Sequence, residues 1–286
     1  MTATDNHGVR IAGDAMQDTI HFISGLPRSG STLLAAILRQ NPRFHAAMSS
    51  PLGTMFSSML GDMSHRNEFA LFINETQKKA ILRGLFENYY GEEFAGKIVF
   101  DTNRVWCSKM PALTTLFPHA KVIACARHVP WILDSIERLI RRNMFDMSKI
   151  FNFEPGSTVY HRVEGLSSPA GMVSFSWNAL KEAYYGEQAD RLMVLTYESL
   201  TREPQKAIDA VYDFIGQVPF KHDFEHLSYN EDEFDARLGT PGLHRVAAKV
   251  RYRERQTVLP PDLFHRFEND SFWTNPQLNQ RGVRVV

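Results

Sequence analysis

The chain of 286 residues carries 32 basic and 32 acidic side chains, so its formal net charge is zero. Hydrophobic residues make up 43% and charged residues 22%, an ordinary globular balance, and no excess of one sign points to nucleic acid or an anionic membrane surface. Two cysteines, Cys107 and Cys125, cannot build a disulfide framework in a chain this long, and no Cys/His spacing suits zinc.

Residues 1–18 are polar, lack an apolar core and do not read as a signal peptide. A loose tail is expected there. No apolar run reaches the length of a membrane span, and the cysteine usage suits a reduced, cytoplasmic setting. Residues 20–23 (Ile-His-Phe-Ile) form a first predicted strand, and residues 31–40 a helix with Leu33, Leu34, Ile37 and Leu38 on one face. Asn41 and Pro42 stop it. Apolar residues recur at helical spacing over 68–88, which predicts one longer helix. Residues 97–100 are a second strand, and a short helix falls within 111–117. The uniformly apolar or small run 122–126 suits a strand buried on both faces. Residues 130–142 follow as a helix opened by proline, and 146–171 read as irregular. A helix over 172–185, a strand over 192–195 and a helix over 204–215 complete the series. Alternating strand and helix predicts an α/β fold: three layers, with a central, mainly parallel sheet between helices. No repeat or linker divides the chain. Residues 19–286 are expected to form a single domain, with a C-terminal extension from about 217 to 286 wrapped on it.

Gly25-Leu26-Pro27-Arg28-Ser29-Gly30-Ser31-Thr32 lies between the first strand and the first helix. Backbone N–H groups at a helix start hold anions there. The spacing approaches G-x-x-x-x-G-K-[ST], but Ser31 stands where a nucleoside-triphosphate enzyme has lysine, and Arg28 is the loop's cation. The loop resembles the 5′-phosphosulfate loop of sulfotransferases that use 3′-phosphoadenosine 5′-phosphosulfate (PAPS). The form in tyrosylprotein sulfotransferases and related bacterial enzymes is the most similar. The resemblance implies that Arg28, Ser29, Gly30, Ser31 and Thr32 hold the 5′-phosphosulfate, that PAPS is the co-substrate and 3′-phosphoadenosine 5′-phosphate (PAP) the product, and that no metal is required.

Three further segments fit that family. Arg127 ends the third strand and Ser135 follows on the next helix, a spacing that in the family serves the 3′-phosphate. A guanidinium at a strand's carboxyl end faces the ligand side of a parallel sheet and forks onto phosphate oxygens. The run Val194-Leu195-Thr196-Tyr197-Glu198-Ser199-Leu200 resembles a family segment that sets Tyr197 near the nucleotide. Cys107-Ser108-Lys109-Met110-Pro111 resembles the one whose lysine contacts the bridging oxygen, which implies a catalytic role for Lys109 beside Arg28.

The general base is the place where the match fails. Where tyrosylprotein sulfotransferases carry a glutamate, this chain has Ser49 within Met48-Ser49-Ser50-Pro51. The histidine of cytosolic small-molecule enzymes falls at Lys109. Asp101, closing the second strand, is the expected substitute, because strand carboxyl ends open onto the ligand edge. Pairing with Arg104 or capping the next turn is its structural alternative. His45, Glu68 and Asp62 are further candidates, and His128 reads as structural. The basic run Lys249, Arg251, Arg253 and Arg255, preceded by Arg245, suits a lid over the nucleotide or an acidic peptide, or else a solvated face. Met55, Phe56 and Met59 offer an apolar acceptor wall or core packing. Three functions stay open: sulfation of tyrosine in a protein or peptide, sulfation of a small molecule, lipid or glycan, and a nucleotide-binding or kinase-like protein without sulfuryl transfer. No nucleic-acid partner is expected, and a homodimer is compatible with the sequence.

Overall fold

The computed structural model describes residues 20–151, 158–229 and 231–286; the expected tail over residues 1–18 lies outside them. Six strands form one parallel sheet: β1 (Ile20–Gly25), β2 (Phe44–Ala46), β3 (Ile98–Thr102), β4 (Val122–Ala126), β5 (Leu192–Thr196) and β6 (Arg284–Val285), in the order β2-β3-β1-β4-β5-β6. Every residue of β1, β3 and β4 is buried. This is the signature of a sheet covered on both faces, as their unbroken apolar runs require. Alternate residues feed two cores. Phe22, Val99 and Ala124 face Phe86, Trp106 and Phe117 on one side, while Ile23, Phe100 and Cys125 face Leu34, Ile208 and Tyr212 on the other. The expected three-layer α/β architecture is the architecture found.

The helices that position the site are α1 (Ser31–Leu38), α2 (Leu52–Asp62), α3 (Glu75–Tyr90), α4 (Met110–Leu116) and α5 (Val129–Arg142). After them come α6 (Val159–Ser167), α7 (Met172–Tyr185), α8 (Tyr197–Arg202), α9 (Pro204–Phe214), α10 (Asp232–Arg237) and α11 (Pro261–Arg266). The single helix expected over 68–88 is two elements. A 3-10 turn spans Glu68–Phe72, and α3 starts only at Glu75. The reason is local: Asn74 is extended, its side chain accepts from Gln77 N–H, and the Gln77 side chain accepts from Asn74 N–H. That reciprocal capping box starts a new helix in spite of the continuous apolar spacing. Helix α6 occupies part of the stretch expected to be irregular. Strands β2 and β6, three and two residues long, are too short for periodicity to reveal.

Chain order reverses across β1, which has β3 on one side and β4 on the other. In open parallel sheets such a crevice, at the strands' carboxyl ends, is where ligands bind. Gly25 makes the turn out of β1 at φ 104, and a Cβ there would lie 2.1 Å from the Cys125 carbonyl oxygen. Both the conformation and the space exclude a side chain. Gly25→Ala is therefore expected to lose at least about 2 kcal/mol of stability, read as a lower urea midpoint with an unchanged slope.

Candidate active site at the carboxyl edge of the sheet

The loop between β1 and α1 is tied to β4 by Leu26 N–H, which donates to the Cys125 carbonyl at 2.8 Å. Arg28 sits at φ 57, a left-handed conformation found at no other non-glycine position among the described residues. A bulky residue held there marks a constrained loop. The strained turn sends its side chain across the crevice: Nε donates to Ser135 Oγ on α5 at 3.2 Å, and Nη1 donates to the carbonyl of Leu243. Arg127, at the end of β4, donates from Nη1 to the Arg28 carbonyl at 3.3 Å, and its guanidinium lies 4.0 Å from the Tyr197 ring centroid. Gly30, the N-cap of α1 at φ 98, packs under that ring, where a Cβ would stand 3.3 Å from it. Thus four separate elements bring Arg28, Arg127, Ser135 and Tyr197 together.

The electrostatics of this cluster are unusual. Burial pushes the Arg28 guanidinium down to about 10, and the neighbouring Arg127 charge adds to the shift. Burial lowers Arg127 as well. Its Nε is buried without a hydrogen-bond partner. Two cations share a crevice with one of their donors unspent, an arrangement that an anion would relieve.

The other expected site residues are distributed around it. Ser31 and Thr32 open α1 and are partly exposed, whereas Ser29 is buried and donates to the Pro27 carbonyl at 3.3 Å, within the turn itself. Lys109 ends the 3-10 helix Arg104–Lys109 and is half-buried. That helix is fixed against β1: Ser24 Oγ donates to the Arg104 carbonyl at 3.1 Å and accepts from Cys107 N–H at 3.1 Å. Asp101 requires a correction. Its carboxylate does not open onto the ligand edge. It is fully buried, with Oδ2 accepting from Tyr90 Oη at 2.6 Å and Oδ1 from Trp106 Nε1 at 2.7 Å. The physical reason is strand parity: Asp101 shares a sheet face with Val99, the side packed against Trp106 and α3. Burial raises its pKa.

His45 is enclosed by Phe94 and Tyr90, with ring centroids at 3.8 and 5.6 Å. His128 Nε2 donates to the Glu268 carbonyl at 2.8 Å. Glu68 lies on the 3-10 turn before α3. Phe56 is core, Met59 packs on it, and Met55 is exposed. Asp62 lines a cavity of about 640 Å³ with Gly53, Thr54, Ser57, Asn103 and Val105. The basic run is partly neutralised: Arg255 pairs with the buried Asp134 at 2.6 Å and Lys249 with Glu225. Asp134 also accepts from Thr257 Oγ1 at 3.2 Å and Val258 N–H at 2.8 Å. It thereby ties the chain after the basic run to α5 beside Ser135.

A residue pair that sequence reading missed completes the crevice. Asp235 on α10 is fully buried and paired with His244, and the carbonyl just before His244 is the one held by Arg28. No motif marks two residues nine positions apart in a stretch of weak periodicity.

The model of the sulfotransferase family matches residues 21–222. The chain belongs to the sulfotransferase family. Among solved structures, this sulfotransferase is similar to the sulfotransferase domain from the curacin biosynthetic pathway, at 20% identity and a TM-score of 0.47 over 71% of this chain and 75% of that one. The sulfotransferase domain of the Synechococcus PCC 7002 olefin synthase aligns at 19% identity and 0.45, over 87% of each chain. A sulfotransferase from Alicyclobacillus acidocaldarius aligns at 16% identity and 0.43, over 77% of this chain and 89% of that one. No curated protein matches the chain.

The inward placement of Asp101 makes a prediction. Asp101→Asn replaces one acceptor by a donor facing Trp106 or Tyr90, and is expected to cost about 1–3 kcal/mol of stability. Activity per folded molecule should be kept. Denaturant titration and turnover measured on one preparation check it; lost turnover at full stability would return Asp101 to the chemistry.

Proposed function

We propose that this sulfotransferase transfers the sulfuryl group of PAPS to an acceptor hydroxyl, with the crevice between β1, β4 and α5 as its nucleotide site. The observation that carries the reading is the convergence of Arg28, Arg127 and Ser135 on one crevice, with an unspent buried donor on Arg127. The N–H groups of the loop and the start of α1 would take the 5′-phosphosulfate oxygens. Arg28 would exchange its bond to the Leu243 carbonyl for one to that group. Arg127 and Ser135 would hold the 3′-phosphate, with Tyr197 keeping the Arg127 fork in plane. Lys109, on the rigid 3-10 helix beside β1, would meet the charge that develops on the bridging oxygen as the sulfur–oxygen bond breaks. Positioning and fixed positive charge then do most of the work, as in phosphoryl transfer.

For the acceptor, the loop resemblance supports a tyrosine in a protein or peptide. A specific observation favours the second reading, a small hydroxylated molecule. The cavity beside the Arg104–Lys109 helix is lined by Thr54, Ser57, Asp62 and Asn103, side chains that exchange hydrogen bonds with hydroxyl groups. A kinase-like reading is disfavoured by Ser31 at the triphosphate lysine position. Among the described residues no helix is long and apolar enough to cross a membrane, and both cysteines are buried free thiols. Free thiols suit the reducing cytoplasm.

Arg28→Ala is expected to lower transfer from labelled PAPS by about 10²–10³-fold, the usual cost of one preorganised charge donor. Wild-type turnover in this variant would remove the central assignment. Thermal shift should show stabilisation by PAP well above that by ATP or adenosine 5′-phosphate. The double variant Arg127→Ala, Ser135→Ala should shrink the preference for PAP over adenosine 5′-phosphate, and an unchanged preference would place the 3′-phosphate elsewhere. Labelled PAPS offered with tyrosine peptides, phenols and sugars separates the two acceptor readings.

A further inference from the structure

The family's usual bases are absent from their expected positions, and Asp101 is sealed in the core. A base must then come from another element. The segment after α10 supplies one. His244 Nδ1 lies 2.5 Å from Asp235 Oδ1, and His244 N–H donates to Asp235 Oδ2 at 2.8 Å. The Asp235 carboxylate therefore takes a bond from the ring and one from the backbone of the same residue, which sets both the position and the rotation of the imidazole. A carboxylate oxygen accepts, so Nδ1 carries the proton, and Nε2 is left with its lone pair.

The ring's placement is set independently of that pair. Leu243, the preceding residue, gives its carbonyl to Arg28. Its turn is held from the other side by Asn143 Nδ2, which donates to the Pro241 carbonyl at 3.2 Å, and by the Ser148 and Thr240 hydroxyls at 2.5 Å. The Phe234 ring stands edge-on to the imidazole at 5.7 Å. His244 is thus an imidazole oriented by a buried carboxylate and next in sequence to Leu243, whose carbonyl Arg28 holds, with 19% of its side chain still open.

We propose that His244 is the general base of the sulfuryl transfer and that Asp235 is its positioning residue. The inference rests on the functional reading above. His244 Nε2 takes the acceptor hydroxyl proton as the acceptor oxygen forms its bond to sulfur. The bond between sulfur and the bridging oxygen breaks, and its electron pair leaves on the 5′-phosphate of PAP. The products are the sulfate ester, PAP and an imidazolium that returns its proton to solvent. Asp235 stabilises that imidazolium through the Nδ1 bond, the orienting role of a buried carboxylate behind a catalytic histidine.

The groups facing the ring are Asp235 and Phe234 from α10, Arg28 from the phosphate loop and Arg104 from the 3-10 helix. Burial is the first cause that lowers the His244 pKa from its ordinary value of 6.5; Asp235 opposes it, and Arg28 and Arg104 add to it. The free enzyme therefore holds His244 neutral, and competent as a base, at neutral pH. The acidic limb of kcat/KM, which reports the free enzyme, should lie below pH 6.5.

Imidazole NMR with nitrogen-15-labelled histidine on the whole protein tests this without knowledge of the acceptor. His244→Asn identifies the His244 signal and provides the inactive control. On titration with PAP, the Nε2 resonance should move and the His244 pKa should rise by about 1 unit or more, because the nucleotide brings negative charge beside it. PAP that saturates the protein by thermal shift while His244 keeps its signal and pKa would overturn the assignment. Failure of PAP to bind would overturn the functional reading beneath it. With labelled PAPS, and water or phenol as the acceptor probe, His244→Asn should lose about 10²–10⁴-fold in turnover, with PAP affinity within a few-fold of wild type. Asp235→Asn should lose less and displace the acidic limb, an effect that a purely structural aspartate would not produce. Full turnover in folded His244→Asn would exclude the base role.

Discussion

Two guanidinium groups held side by side in a buried crevice are the constraint on which the rest of this molecule depends. Burial lowers the pKa of both, and for Arg28 the neighbouring Arg127 charge adds to the shift. The fold holds the pair with rigid supports. Gly25 turns the chain so closely against β4 that no side chain fits, Arg28 is forced into a left-handed conformation, and the Tyr197 face takes up the Arg127 charge.

The C-terminal segment belongs to the same electrostatic design. Two buried aspartates hold it at the crevice. Asp134 on α5 draws in Arg255, Thr257 and Val258, while Asp235 on α10 holds His244. A buried carboxylate left alone would be costly, so each dictates where its partners sit. Arg28 gains a carbonyl, Leu243, from this segment. The loop after β1, α5 and the C-terminal turn are therefore coupled through direct hydrogen bonds. The two thiols play no part in it, as both are buried and burial pushes Cys107 up to about 11 and Cys125 up to about 12.

Asp101 shows how a correct element can still carry a wrong inference. Its strand was legible from the apolar run before it, and its place at a strand's carboxyl end was right. The error concerned direction. A strand sends successive side chains to opposite faces, and the face that Asp101 shares with Val99 is filled by Trp106 and Tyr90, both with a hydrogen to donate. Those two donors come from different elements, and nothing near residue 101 announces them.

By itself the sequence determined what depends on neighbours along the chain: the buried strands, the glycine-bounded loop without a lysine, the proline-opened helix carrying Ser135 eight residues beyond Arg127, and through them the family. Such features are local because a turn conformation, a cap or a strand period is settled within about ten residues. Even there, the capping box at Asn74 outweighed an apolar pattern that ran straight through it. Tertiary structure alone decided which carboxylates are sealed and which side chains meet across the sheet. Asp101 turned inward, Asp134 gripped a strap more than a hundred residues away, and His244 came to rest beside Arg28. The reason is that burial and charge pairing act at contact distance in space, and contacts between residues this far apart in sequence exist only once the sheet has assembled.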